Sequence, residues 1–124
     1  MSIQQTLQKV QSALTAIQGL DVYHYFAPSA KAVPYAVWYE QGEDSSLEVN
    51  NHKGEQSIEG YVDYYTKTEF DAKVDTIQTA LNGIENCSWR YESIIYGDPT
   101  SEDNNTIHHT WTWRIRVIKE AVTS

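Results

Sequence analysis

The sequence has a single cysteine and no long run of apolar residues. Since Cys87 is the only cysteine, the sequence excludes an intramolecular disulfide and a CxxC motif. Without a histidine positioned to activate its thiol, Cys87 is expected to act as a small apolar residue. No apolar stretch approaches the roughly 20 residues that a membrane-spanning helix requires. The N-terminal residues lack the basic start and apolar core of a signal peptide. We therefore expect a protein that is made in the cytoplasm and does not enter a membrane.

Basic residues are also few. Nine Lys and Arg oppose seventeen Asp and Glu, which gives a formal net charge of −8. Binding to a nucleic-acid backbone needs clustered positive charges, so we do not expect it to be the main role of this chain. Aromatic residues with polar tips are abundant instead, with nine Tyr and four Trp. Such side chains suit a β-rich core and a protein interface equally well.

The motifs of common catalytic and cofactor sites are missing too. The sequence contains no GxGxxG, no P-loop, no HExxH and no GxSxG. His108 and His109 lie on a predicted strand, where adjacent side chains point to opposite faces, so they are not expected to share a metal ion. The acidic residues Glu43 and Asp44, and those of segment 98–103, do not have the spacing of a calcium-binding loop. Solvation of exposed loops is their favoured role.

One pair of carboxylates is a further candidate for chemistry. Asp63 and Glu92 would form an acid–base pair if their strands were neighbours. Arg90, Arg114 and Arg116 are predicted on the same face, however, and cross-strand ion pairs are the simpler use of these charges. The sequence therefore predicts that the protein is not an enzyme and has no cofactor or metal site.

The length of 124 residues, without a linker or low-complexity tract, predicts a single domain over residues 1–124. Its first element is an amphipathic helix, because apolar residues recur every three or four positions from 3 to 17. Ser2 and Gln5 form a predicted capping box at its start, and Gly19 is the predicted C-terminal glycine.

A second helix follows the middle of the chain. Thr68 and Asp71 form a variant of the capping box, and Gly83 with the residue before it ends the helix. Its predicted apolar positions are Phe70, Val74, Ile77 and Leu81.

Four strands are predicted at residues 33–40, 56–66, 89–96 and 107–117, from alternating β-branched and aromatic residues. The polar segment 41–55 is predicted to be a long loop, which in a compact domain is usually functional or mobile. The element order is α-β-β-α-β-β. We therefore predict an α+β fold with an antiparallel sheet of about four strands and two helices packed on one face.

Alternation along the strands also predicts which residues point outward. Tyr64 and His109 are predicted to point towards the helices. The aromatic and apolar residues predicted on the outer face, among charges, are Trp38, Tyr61, Tyr65, Ile94 and Tyr96. Such a mixed surface is typical of a protein interface, and an ordinary solvated sheet face is the alternative.

Four segments of the sequence, in order, resemble one protein family. They are the helix ending at Gly19 with Val22-Tyr23 and residues 33–37 after it, the strand and capped helix at 60–66 and 70–83, residues 89–93, and the strand that begins at His108-His109 and carries Arg114 and Arg116. Over nearly the whole chain this pattern is similar to that of the tail-completion, or tail-terminator, proteins of long-tailed phages and prophages. These are small α+β minor tail proteins, and the shared motifs are structural.

The resemblance implies a structural virion protein that forms a ring, commonly hexameric, at the end of the tail tube and joins it to the head connector. The implied partners are further copies of the chain, a tail-tube protein and a head–tail connector protein, with DNA passing through without specific binding. The implied location is the head–tail junction of the virion, after synthesis in the bacterial cytoplasm. Six copies would carry a charge of roughly −48, which repels a DNA duplex at low salt.

A closed ring repeats one head-to-tail interface, so each subunit needs two different complementary surfaces. The aromatic sheet face and segment 41–55 are the candidates, and the segment is expected to become ordered on reaching a neighbouring subunit or the tube. The candidate interface residues are Trp38, Glu43, Asp44, Leu47, Val49, His52, Tyr61, Tyr65, Arg114 and Arg116.

Two alternatives stay open at this point. The first is a small ligand-binding or enzymatic α+β domain with a Tyr/Trp/His pocket between the helices and the sheet, where His109 and Tyr64 would be the inward polar groups. The second is an inhibitor or adaptor that uses the aromatic face to bind one partner.

Overall fold

The computed structural model describes residues 2–29, 31–49, 52–97 and 105–117, and at 44–49 and 52–55 it describes the backbone alone. The elements are α1 (Ile3–Thr15), β1 (Val22–His24), β2 (Tyr35–Val49), β3 (His52–Thr66), α2 (Lys73–Asn82), β4 (Cys87–Tyr96) and β5 (Ile107–Val117). The predicted α+β class is confirmed. Within the described ranges, neither helix has the length and apolar character needed to span a bilayer.

The strands form one sheet in the order β1-β2-β3-β5-β4. The pairs β2–β3, β3–β5 and β4–β5 are antiparallel, as predicted, whereas β1 pairs parallel to β2. The sheet is therefore mixed, with five strands instead of about four. The sequence did not reveal β1 because its three residues are too few to show an alternating pattern.

The N-terminus of α1 has the predicted capping box. The Ser2 hydroxyl accepts a hydrogen bond from the Gln5 N–H at 3.1 Å, and the Gln5 carboxamide oxygen accepts one from the Ser2 N–H at 2.8 Å. These bonds satisfy backbone donors that a helix start leaves open. The helix ends at Thr15 with Ala16 as its C-cap, before Gly19, which lies in the following turn with a φ of +74°.

The start of α2 differs from the prediction. The helix begins at Lys73, so Thr68 does not cap it, and Phe70 lies outside its apolar stripe with 94% of its surface exposed. Asp71 serves the helix start in another way, because its carboxylate accepts a hydrogen bond from the Lys73 N–H at 2.9 Å. Gly83 is the C-cap, as predicted.

Residues 41–49 and 52–55 form strands, contrary to the prediction of a loop over 41–55. β2 and β3 are each 15 residues long and stay paired from Tyr35 opposite Tyr65 to Val49 opposite His52, with three register shifts on the way. The sequence did not reveal this hairpin because polar residues dominate the segment and because the register shifts interrupt the alternation of side chains between the two faces.

The core lies between the two helices and one face of the sheet. Its main residues are Leu7, Val10 and Leu14 of α1, Ile77 and Leu81 of α2, and Trp38, Val62, Trp111, Trp113 and Ile115 of the strands. Trp38 was predicted on the outer face, which is wrong: it is 2% exposed, and its indole N–H donates to Gln11 Oε1 of α1 at 2.7 Å. Alternation could not assign it because Val37, on the opposite face, is buried as well.

A bulge in β4 reverses the faces of its last residues. The pairing with β5 shifts between Tyr91 and Ser93, which makes Glu92 the extra residue. Ile94 and Tyr96 were predicted on the outer face, and this is also wrong, since they line a groove beside α2 on the helix side. Strict alternation fails across a bulge, so the error begins where the pairing shifts.

Candidate interaction surfaces

The sheet face that points away from the helices, here called the outer face, carries a row of aromatic rings. Tyr35, Tyr65 and His108 occupy one register row across β2, β3 and β5. The ring centroids of Tyr35 and Tyr65 are 5.0 Å apart, and those of Tyr65 and His108 are 4.4 Å apart. Tyr23 of β1 meets the ring of Tyr35 edge-on at 6.3 Å. These cross-strand contacts tie four strands together, because aromatic pairs stabilise a sheet beyond their buried area.

Asp63 lies in the next register row and is 8% exposed. Its Oδ1 lies 2.8 Å from His108 Nε2 and accepts a hydrogen bond from the Thr110 hydroxyl at 2.9 Å. The Tyr39 hydroxyl also bonds to Asp63, and burial followed by the charge of this carboxylate raises the pKa of Tyr39. An acid–base pair of Asp63 with Glu92 is not formed, since β5 separates their strands. The carboxylate is held by its neighbours in a structural cluster.

Beyond Asp63 the outer face becomes rich in arginine. Arg114 and Arg116 follow along β5 and are exposed. Arg90 of β4 has a side chain that is 75% exposed and forms an ion pair with Glu92 at 2.7 Å. An open groove of about 480 Å³ lies here, and its lining holds Arg90 and Arg114 together with Glu59 and Glu92, beside Tyr61. Tyr and Arg are the side chains most enriched at protein interfaces.

The predicted interface residues fall into four groups, one of which is Glu43 alone, which is exposed on β2. Those that the structure brings together on the outer face are Tyr61, Tyr65, Arg114 and Arg116. Trp38 is separated from them by the sheet itself. The side chains of Asp44, Leu47, Val49 and His52 lie outside the described residues, and so do the acidic residues of segment 98–103.

The distal part of the β2–β3 hairpin, residues 42–49 and 52–55, is here called the arm. β1 pairs with β2 only at 36–38, and within the described residues β5 pairs with β3 no further than Gln56 opposite Val117. Among the described residues the arm therefore extends past both neighbours, and residues 42–49 span about 24 Å at the usual strand rise. At its base, Glu43 accepts a hydrogen bond from the Gln56 carboxamide at 2.8 Å. A two-stranded ribbon alone is marginally stable, which makes the arm a candidate for contact with another protein.

A second exposed surface was missed by the sequence analysis. Phe70, Ile94 and Tyr96 are 94%, 40% and 63% exposed and line one groove of about 310 Å³ with the buried Ile107. Because the sequence placed Phe70 in the apolar stripe of α2 and the other two on the outer face, it gave no signal that they meet. Only the turn before α2 and the bulge in β4 bring them together.

The interior positions of the alternative ligand pocket are occupied by packed side chains. Tyr64 and His109 are buried, as predicted, and the Tyr64 hydroxyl donates to Asp71 Oδ2 at 2.6 Å. The Tyr91 hydroxyl lies 2.6 Å from His109 Nδ1. Trp111, which is fully buried, packs beside His109 with ring centroids 6.0 Å apart. Packed side chains thus surround Tyr64 and Trp111, whereas His109 also lines the open groove beside α2.

The remaining residues that were considered for metal binding or catalysis make contacts within the fold. His108 and His109 point to opposite faces, as predicted, where the first contacts Asp63 and the second Tyr91. Cys87 packs against the core, and burial raises the pKa of its thiol to about 11. Since the thiolate is the nucleophilic form, this environment favours the predicted role of a small apolar residue.

No family model matches the sequence, and no curated protein sequence matches it either.

Proposed function

We propose that this chain is a structural protein of a phage or prophage virion, whose copies form a ring that terminates the tail tube and joins it to the head connector. Its partners would be further copies of itself, the tail-tube protein and the connector protein. DNA would pass through the ring without specific binding, in keeping with the formal net charge of −8.

The arm is the observation that supports this proposal most directly. Within the part of the chain that the structure describes, it extends beyond the strands that pair with the rest of the hairpin. A ribbon of this kind exposes unpaired backbone groups along its edges, and such edges are usually covered by another strand or another chain. A subunit that reaches over its neighbour in a ring would provide that cover.

The composition of the outer face supports the same role. Asp63 binds both Tyr39 and His108, so the polar groups at its centre stabilise the sheet. Around them lie tyrosine and arginine side chains, which favour contact with a protein surface over chemistry on a small molecule. Within the described ranges the helices cover the opposite face, so the more open part of the outer face is available to a neighbour.

The proposal is tested by the mass of the protein in light scattering over a concentration series, followed by electron microscopy alone and with purified tail tubes. Rings, or tubes capped at one end, are expected. A shortened variant in which residues 47–55 are replaced by Asn-Gly, so that the register partners Ser46 and Gln56 flank the turn, should lose assembly and keep its melting temperature, because the strands that build the core remain. A wild-type chain that stays monomeric with tubes present and leaves their ends uncapped would overturn the proposal.

A further inference from the structure

β4 is an edge strand of the sheet, and its last part lacks the features that normally protect such an edge. Among the described residues β4 pairs with β5 alone, so its other side is open. Its first part carries the ion pair of Arg90 and Glu92 and the bulge, and charges and bulges commonly keep an edge from pairing with other strands. Beyond the bulge the edge holds Ile94, Ile95 and Tyr96, which are all exposed. Consecutive large apolar side chains on an open edge favour contact with another protein.

The hydrogen bonds between β4 and β5 decide which backbone groups face the open side. The Gly97 N–H donates to the Thr106 carbonyl oxygen at 2.9 Å, so Gly97 directs its backbone groups towards β5. These directions alternate along an antiparallel pair, so Ile95 also faces β5, whereas Ile94 and Tyr96 present their N–H and C=O groups to the open side. These two residues can therefore form hydrogen bonds with a strand that another chain adds to the sheet.

The side chains of the same two residues border the groove beside α2, on the helix side of the sheet. Ile94 and Tyr96 line this groove of about 310 Å³ together with the buried Ile107 and the exposed Phe70. Residues directly opposite each other on neighbouring strands lie on the same face, so an added strand would place alternate side chains at the groove. The residue between them would cover Ile95 on the outer face.

The charged side chains in the lining of this groove are acidic. They are Glu69, Asp71 and Asp75, and among the described residues the lining holds no lysine or arginine. His109 also lines the groove, but burial lowers its pKa and so favours the neutral form. Asp71 is bound by hydroxyl and N–H groups of the fold, whereas the exposed Glu69 and Asp75 form no ion pair within the described ranges. Two carboxylates of the groove are therefore available to a partner.

Two lysines near the groove offset its charge only in part. The Lys73 ammonium nitrogen lies 3.3 Å from the position that a Cβ on Gly19 would occupy, so this side chain extends towards the turn after α1. Lys67 is exposed and lines a neighbouring opening with Glu69 and Tyr96, without an ion pair to any described residue. Three carboxylates against two lysines, one of which points away, leave the groove acidic.

We propose that the open edge of β4 beyond its bulge binds an extended segment of another protein, in which basic residues flank an apolar one. The apolar residue covers Ile95, and the flanking side chains extend along Ile94 and Tyr96. Their charges pair with Glu69 and Asp75. Arginine suits the site best, since its guanidinium stacks on aromatic rings and pairs with carboxylates. A second copy is disfavoured as the occupant, because pairing two β4 edges would bring two acidic grooves together.

Titration of the isotope-labelled protein with a capped peptide of sequence Arg-Val-Arg-Val-Arg tests the contact by NMR. The amide signals of Ile94, Tyr96 and the turn at Phe70 should shift, and those of α1 should stay in place. The matched peptide with glutamate in place of arginine should bind at least roughly tenfold more weakly, because the acidic groove repels it. Equal binding of both peptides overturns the proposal, as do shifts confined to other surfaces or no shifts at about 1 mM of the arginine peptide.

Methylation of the peptide nitrogens tests the backbone hydrogen bonds without altering the protein. In an added strand alternate N–H groups point to β4, so either the central arginine N–H or the two valine N–H groups take part. Two peptides, one methylated at the arginine nitrogen and the other at both valine nitrogens, should therefore differ in affinity by roughly tenfold. Equal affinities of the two methylated peptides would mean that the segment does not add to the sheet.

Charge reversal tests the role of the two available carboxylates. Glu69→Lys and Asp75→Lys should each lower the affinity for the arginine peptide by roughly fivefold, because each replaces an attraction with a repulsion. Glu85→Lys is the matched control, since it changes the net charge equally at a side chain that is 77% exposed and lies outside the groove. The control should lower the affinity less than about twofold, because salt screens distant charges. Equal losses in the three variants, with unchanged melting temperatures, would show that net charge alone attracts the peptide and would overturn the site.

Dilution of the wild-type protein without peptide separates a second copy from a different protein. If the signals of Ile94 and Tyr96 shift with protein concentration, a second copy is the occupant, and the assignment to another protein is overturned. The edge of β4 is separate from the arm, so this contact goes beyond the proposed function and does not depend on it. Failure of the peptide to bind removes the contact and leaves the ring intact, whereas absence of rings and capped tubes removes only the ring.

Discussion

The Tyr64 hydroxyl donates a hydrogen bond to Asp71 Oδ2 at 2.6 Å and so joins the end of β3 to the turn before α2. The Thr66 hydroxyl donates to the same oxygen at 2.7 Å, and the Lys73 N–H donates to Oδ1 at 2.9 Å. One carboxylate therefore connects a strand, a turn and a helix start. Burial raises the pKa of Asp71, but the hydrogen bonds from Tyr64, Lys73 and Thr66 outweigh it, so the folded-state pKa lies below the ordinary 3.8.

Asp71→Asn should lower the free energy of unfolding at pH 7 by about 1–3 kcal/mol. The asparagine amide presents an N–H donor in place of one carboxylate oxygen, so a hydroxyl that donates to Asp71 loses its acceptor. Since the folded pKa is depressed, the carboxylate stabilises the fold above pH 3.8 and loses this effect as the pH falls through its folded pKa. The difference between wild type and variant in urea unfolding should shrink on acidification to that range. Asp75→Asn, at an exposed position of α2, is the control and should change stability little. If the difference in unfolding free energy between wild type and Asp71→Asn stays constant into strong acid, the Asp71 carboxylate is not the group responsible for it.

His109 predicts a second dependence on pH. Burial lowers its pKa, the charge of Asp71 opposes this shift, and His108 adds to it. A depressed histidine pKa means that the neutral form is favoured in the fold, so stability is full above pH 6.5 and decreases as the pH falls below that value. Melting temperatures between pH 8 and pH 5 should show this slope, and His109→Phe with Tyr91→Phe, which removes both partners of the hydrogen bond, should flatten it. If the melting temperature of that double variant still depends on pH with the same slope, the titrating group is not His109.

Gly60 predicts a steric effect in the centre of the sheet. A Cβ atom at this position would clash with the Tyr39 carbonyl oxygen and with the Trp113 ring, which lies over the glycine. Gly60→Ala should therefore destabilise the protein by about 1–3 kcal/mol, as overpacked cores do. Gly83→Ala is the matched control, because the nearest atom to its Cβ is 3.4 Å away and its φ is −80°. Chemical denaturation of both variants checks this, and equal stabilities would show that the Trp113 ring can move aside.

Cys87 predicts slow thiol chemistry. With a pKa of about 11, only about one thousandth of the thiol is ionised at pH 8. Alkylation by iodoacetamide, followed by mass spectrometry, should therefore be far slower in the folded protein than in urea. Equal rates under the two conditions would mean that the thiol is more open to solvent than its packing against the core indicates.

The elements that could be predicted are those specified by residues close together in the chain. The capping box of Ser2 and Gln5, the stop at Gly83 and the alternation of β5 are all local patterns, and the structure has each of them. The inward positions of Tyr64 and His109 follow from the same alternation. Local patterns also predicted that His108 and His109 lie on opposite faces.

The candidate surfaces were predicted less well because they depend on pairing between distant segments. Tyr61 and Arg114 were placed correctly on the outer face, since their strands alternate regularly. Trp38 was misplaced because both faces of β2 are buried at that point, and Tyr96 was misplaced because a bulge shifts the register. Both errors occur where the face on which a residue lies depends on the neighbouring strands, which the sequence of a single strand does not specify.

By itself the sequence determined the α+β class, the two helices and the positions of the central strands, because periodicity, capping and turn residues act within a few positions of the chain. Only the tertiary structure decided that 42–49 and 52–55 form an arm, that β1 joins the sheet, and that Phe70 stands outside α2 beside Tyr96. Asp71 shows the physical reason. The sequence predicted that Asp71 forms a capping box with Thr68. In the fold, its carboxylate instead accepts hydrogen bonds from the Tyr64 and Thr66 hydroxyls of β3.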